Sequence, residues 1–229
     1  MTGTTDVFVH EGLPEGGSLN PAGLSQQRAA RRPFISQCRQ WLACISATLT
    51  MVVVGTVYGW TTTSLPHLTS GTGGVPLKLT NDESSWIVSL SVLGSMIGSL
   101  LGAQLADRSG RKYCLLLCST IFTLGWLIIY AATSVSNLYL SRLILGIGVG
   151  IAYTINPIYV SEVADINIRG ALGTLIAVNV FAGSLLTCVL GLWLVYKSLL
   201  TVLIILSFIS LLSNMCFPET PYFLVAKGR

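Results

Sequence analysis

The chain has 229 residues, of which 52% are hydrophobic and only 10% charged. Soluble domains average near 25% charged, so a soluble globular protein is excluded. The net charge of +4 sits in short basic turns between long apolar runs, which is not the continuous basic face that nucleic acid requires.

The first 37 residues are rich in Gly, Pro, Ser and Arg without hydrophobic periodicity, and read as a disordered tail. They lack the apolar core of a signal peptide. Six apolar stretches follow, predicted as membrane helices at about 41–60, 86–106, 113–132, 138–160, 171–195 and 198–217. Each approaches the roughly 20 residues that span a hydrocarbon core of about 30 Å. Residues 38–217 therefore read as a six-helix transmembrane bundle of all-α class, stopped by Pro218. Residues 218–229 begin a loop.

Lys and Arg in short loops orient such a bundle. With the N-terminus inside, the inner segments hold ten basic residues and the outer loops two, Lys78 and Lys197. Both termini are expected on the cytoplasmic side. Arg142 lies in the first turn of the fourth span, where it could snorkel to the outer interface or serve a structural role.

The six cysteines lie in or beside apolar runs, and the two histidines are isolated. They suggest no disulfide framework, metal site or cofactor. No nucleophile–base set or phosphate loop points to an enzyme. Gly55-x3-Gly59-x6-Pro66 in the first span matches Gly146-x3-Gly150-x6-Pro157 in the fourth. Spans one and four run in opposite directions, so the match suggests a 3+3 inverted repeat, although 23 glycines can also produce it by chance. Gly94, Gly98 and Gly102 share one face of the second span, as close helix packing requires.

The turn Asp107-Arg108-Ser109-Gly110-Arg111-Lys112 must reverse two helices over about six residues. On charge alone it is a topology signal. Its order, however, resembles the signature loop of the major facilitator superfamily, with Ala103 where the family has Gly. Ser141-Arg142 followed by Gly146 and Gly150, Pro157-Ile158-Tyr159-Val160-Ser161-Glu162, Arg169-Gly170-Ala171-Leu172-Gly173-Thr174 and Pro218-Glu219-Thr220-Pro221 resemble, in order, motifs of its sugar porter family. Gly59-Trp60 and Ser64-Leu65-Pro66 are similar to the insect facilitated trehalose transporters and the related glucose facilitators.

The resemblance implies one six-helix half of a twelve-helix sugar carrier in the plasma membrane, with sugar as substrate and a second half as partner. It implies an inner network of ion pairs from Asp107, Arg108, Arg111, Glu162, Arg169 and Glu219. A neutral polyol needs uncharged donors, acceptors and an aromatic face. Tyr58, Trp60, Thr61, Asn156 and Asn179 are the candidates to line its cavity. Each could instead hydrogen-bond between helices. Ala177 stands where many glucose facilitators carry Gln. Proton-coupled relatives carry Asp where this chain has Thr61, and all nine carboxylates fall in tails, loops or helix ends, so facilitated rather than proton-driven transport is expected. A six-helix carrier acting as a homodimer, or a non-transporting regulatory or sensor form, are the other readings.

Overall fold

The computed structural model describes residues 33–71, 77–163 and 169–216, with side chains described from Ala47 onward. The chain divides into the units Met1–Cys38 and Arg39–Arg229. The bundle described below is the second. The expected tail falls almost wholly, and Glu219 wholly, outside the described residues.

Among the described residues six helices run in order: α1 (Pro33–Ser70), α2 (Asn81–Ser109), α3 (Arg111–Tyr130), α4 (Val135–Val163), α5 (Arg169–Trp193) and α6 (Tyr196–Cys216). Helices α2 to α6 are long and apolar enough to cross a membrane. The protein is an all-α integral membrane protein.

Helix α1 continues ten residues past the expected end at Trp60, through Thr61, Thr62, Thr63 and Pro66. The threonine hydroxyls donate to carbonyls one turn back: Thr61 to Val57 at 3.0 Å, Thr62 to Tyr58 at 3.2 Å and Thr63 to Gly59 at 3.1 Å. Such back-bonding hides the hydroxyl's donor inside the helix, so a polar stretch continues as helix. Gly71, at φ 70°, ends it in a left-handed conformation that glycine adopts freely. At the start of α2, Thr80 and Glu83 form a capping box. The Glu83 N–H donates to Thr80 Oγ1 (3.3 Å) and the Thr80 N–H to Glu83 Oε2 (2.8 Å).

The basic turn is tighter than the sequence suggested. Asp107, Arg108 and Ser109 close the last turn of α2, and Arg111 opens α3. Gly110 alone, at φ 99°, separates them, a conformation disfavoured for side chains with a Cβ.

Two glycine seams hold the bundle. A Cβ on Gly146 or Gly150 in α4 would strike the carbonyl oxygens of Ser91 and Ser95 in α2, and one on Gly94 or Gly98 would strike those of Leu143 and Ile147 in α4. A Cβ on Gly55 or Gly59 in α1 would likewise meet the carbonyl oxygens of Val180 and Ser184 in α5, and one on Gly183 would meet that of Val52. Backbones approach this closely only where small residues allow it. The seams share one register: Gly55 faces Val180 as Gly146 faces Ser91, and Gly59 faces Ser184 as Gly150 faces Ser95. The internal repeat is thus structural, and each half of it packs its first helix against the second helix of the other.

Among α2 to α6, α4 is buried most deeply, with 61% of its apolar span inside, against 22% for α2 and 17% for α5. Helices α2 and α5 therefore turn apolar faces outward, through Leu93, Met96 and Leu100, and through Val178, Phe181 and Leu185. Trp86, Tyr130 and Trp193 are exposed at the end of the bundle opposite the basic turn, where amphipathic rings suit a membrane–water boundary.

A polar cluster ties three helices together. Asn214 Nδ2 in α6 donates to Thr50 Oγ1 in α1 (3.0 Å) and Ser119 Oγ in α3 (2.9 Å). Thr50 Oγ1 also lies 3.3 Å from Ser210 Oγ.

Candidate functional site

At the basic end, Arg111 clasps Glu162 from the far end of α4. Its Nε donates to Glu162 Oε1 at 3.1 Å, and Nη2 lies 3.0 Å from the same oxygen. Nη1 donates to the Ala106 carbonyl at 3.1 Å, so the guanidinium also closes α2. Asp107 stands 3.9 Å from Nη2, with its side chain 81% exposed, at the rim of this pair. Lys112 Nζ donates to the Met215 carbonyl at the end of α6 (3.2 Å). Glu162 Oε2 is buried with no hydrogen-bond partner among the described residues. Among the described residues, only the Oε1 lobe of the carboxylate is engaged.

The structure therefore joins Arg111 and Glu162, with Asp107 at the edge. Arg108 is exposed at the end of α2. Arg169 is exposed and lines a groove between α4 and α5. Replacing Arg111 with Met leaves the Glu162 carboxylate, 17% exposed, without either donor. Hydrogen bonds to charged groups contribute about 1.5–3 kcal/mol. A loss of stability of that order, read as a lower melting temperature, is expected, largely restored by adding Glu162→Gln. Thermal unfolding of both variants in detergent checks this.

The candidate cavity residues separate into two sets. Tyr58 and Thr61 line a groove of about 270 Å³ between α1 and α2, together with Thr62, Val88, Ser91, Val92, Ser95, Val57 and Val149. Trp60 does not face that groove, contrary to expectation. It is fully buried, because two positions along a helix rotate it roughly 200° from Tyr58. Its ring packs against Tyr196, 6.3 Å between centroids. Asn156 is also fully buried. Its Nδ2 donates to the Ala152 carbonyl at 3.3 Å, while Oδ1 has no partner among the described residues. Asn179 is half-buried on α5 and lines neither groove.

Arg142 does not snorkel. It is 1% exposed, with its guanidinium carbon 4.0 Å above the Trp60 ring and Nη1 3.5 Å from the Val57 carbonyl. Its position one residue after Ser141 and three before Leu145, both buried, places it on the inward stripe of α4. Nε and Nη2 have no partner among the described residues. A cation held this way relies on the aromatic face.

Sequence reasoning missed Thr62, Ser91, Ser95 and Tyr153 as groove residues. Ser91 and Ser95 stand one helical turn apart, which was the available signal. Tyr153, on α4, lines the α4–α5 groove.

Comparison with known proteins bears on the family and the fold. The chain is 37% identical over 212 residues to "Solute carrier family 2, facilitated glucose transporter member 8" of Bos taurus, covering 92% of this chain and 42% of that protein. It is 28% identical to the facilitated trehalose transporter Tret1 of Apis mellifera ligustica, covering 90% and 41%. The chain thus spans less than half the length of these curated relatives. Its fold matches the xylose transporter XylE from E. coli in a partially occluded inward-open conformation, with a TM-score of 0.71 at 23% identity, over 82% of this chain and 52% of that one. The family profile described as "Sugar (and other) transporter" matches residues 41–229, and with the repeat, the basic turn and the Arg111–Glu162 pair in place, the chain belongs to that family, the sugar porters of the major facilitator superfamily.

Proposed function

We propose that the chain forms the N-terminal six helices of a facilitative transporter for trehalose or a hexose, resident in the plasma membrane with both ends of this chain cytoplasmic. It works by alternating access against a second six-helix unit and does not transport alone. The observation that carries this reading is the Arg111–Glu162 pair. A pair that joins two helix ends at the rim of the bundle suits a contact that forms and breaks as two units rock. A lone exposed ion pair contributes only about 0–1 kcal/mol, so a gate needs further donors. The family names of the relatives support sugar as the substrate.

Facilitation without proton coupling is supported by the groove. An intramembrane carboxylate is the usual proton carrier, and the α1–α2 groove presents Thr61 and Thr62, not a carboxylate. Radiolabelled glucose and trehalose uptake tests the reading. Vesicles holding only this chain are expected to show no saturable uptake. A transporter assembled with a second six-helix unit is expected to show uptake that survives a protonophore. Saturable uptake by the chain alone, or collapse on dissipating the proton gradient, would overturn the corresponding part.

A further inference from the structure

The inverted repeat relates not only the seams but also the two grooves beside them. In the register of the seams, Thr62 of the α1–α2 groove corresponds to Tyr153 of the α4–α5 groove. Val88, Ser91 and Val92 correspond to Ala177, Val180 and Phe181. All eight residues line their respective grooves. Each groove also lies beside a proline without an N–H: Pro66 gives none to the Thr62 carbonyl, and Pro157 gives none to the Tyr153 carbonyl. The two sites share one backbone plan.

Their chemistry has diverged. The α1–α2 groove carries the hydroxyls of Tyr58, Thr61, Thr62, Ser91 and Ser95 and no charge. Thr61, Thr62 and Ser95 donate to their own helix, at 3.0, 3.2 and 2.8 Å, so their oxygens face the groove chiefly as acceptors. Ser91 Oγ is buried and has no hydrogen-bond partner among the described residues. Leaving a buried hydroxyl unpaired costs about 1–3 kcal/mol, which a ligand would recover. The repeat-related position holds Val180, and that groove is lined mainly by apolar residues, among them Ile176, Ala177, Val180 and Phe181, with Tyr153, Ser161 and Arg169 as its polar lining among the described residues.

We infer that, within this six-helix unit, sugar hydroxyls are bound in the α1–α2 groove by Ser91, Ser95, Thr61, Thr62 and Tyr58, and that the repeat-related α4–α5 groove, with Val180 in place of Ser91 and fewer hydroxyls, contributes less. The inference rests on the proposed sugar-transport reading. At about 270 Å³ the groove falls just below the roughly 300–1,000 Å³ of pockets for drug-sized ligands. It suits one neutral pyranose ring. Tyr58 supplies an aromatic side for the ring's less polar face.

The full chain in lipid nanodiscs, carrying Ser95→Cys or Ala177→Cys, is labelled with a maleimide. Labelling at each site is read by peptide mass spectrometry, with glucose or with salt of equal osmolality. Glucose is expected to slow labelling at position 95 severalfold and to leave position 177 unchanged. Protection at 177 equal to or above that at 95 overturns the assignment while leaving sugar binding intact. Protection at neither, in chains that keep the parent melting temperature, overturns both. Should these variants fail to fold, Ser91→Ala is compared with the parent for the rise in melting temperature on adding glucose. A reduced rise supports the assignment and an unchanged one overturns it.

Discussion

Replacing Gly98 or Gly150 with valine is expected to abolish the folded bundle, and Gly55→Val to do the same through the opposite seam. At each position the added carbon meets a carbonyl oxygen of the facing helix, and a backbone oxygen yields only if the whole helix moves. Overpacking costs typically 1–3 kcal/mol and sometimes more. Here the obstacle is rigid on both sides, so roughly 3 kcal/mol or more is expected, a large part of a total near 5–15 kcal/mol. Gly173→Val is the control, because nothing lies within 4 Å of a Cβ built there. It should melt with the parent chain. Size-exclusion profiles and thermal unfolding in detergent decide the matter: a monodisperse Gly98→Val chain melting with its parent would refute the seam.

Arg142 gives the second large effect, with two opposite signs. A buried ion costs several kcal/mol in desolvation unless well paired. The aromatic face returns about 2 kcal/mol, and one long contact to a carbonyl returns little. In a detached helix, Arg142 lies about two turns from the start of α4 and reaches water by extending its stem. Folding therefore strands it. Arg142→Met, which keeps the apolar stem beneath Trp60, is expected to raise stability by about 1–3 kcal/mol. Arg142→Ala leaves a void beneath the indole and is expected to lower stability by about 2–4 kcal/mol. Thermal melts of both variants test the pair of signs. A destabilised methionine variant would show that the charge itself holds the fold. A stabilised one would mark Arg142 as retained for function, at a cost to the fold.

The parts of the site that depend on local order could be read from the chain. Gly110 between basic residues announces a helix break, and the paired glycine spacings announce two equivalent seams. Helix facing was legible in principle and was misapplied at one position: Tyr58 and Trp60 cannot share a face, and the structure separates them. The destination of Arg142 was hidden, because hydropathy places it near a helix end without saying which neighbour covers it. The Asn214–Thr50–Ser119 cluster was also hidden. It draws single polar residues from three helices, and no one of them departs from its own helix's apolar background. Ser91 and Ser95 stand one helical turn apart, but only the packing of α1 against α2 shows that they line a groove.

The exchange of partners between the two repeats also sets the order of assembly. Gly59 must wait for Ser184, 125 residues later (184 − 59), before its seam can close. At about 5–20 residues per second this delay is roughly 6–25 s. Throughout it α1 sits in the translocation machinery or the bilayer with its notched face bare. Helices α1 to α3 therefore have no finished tertiary structure to adopt on their own. A ribosome stalled before α5 leaves a nascent chain that quality control can distinguish from a folded one.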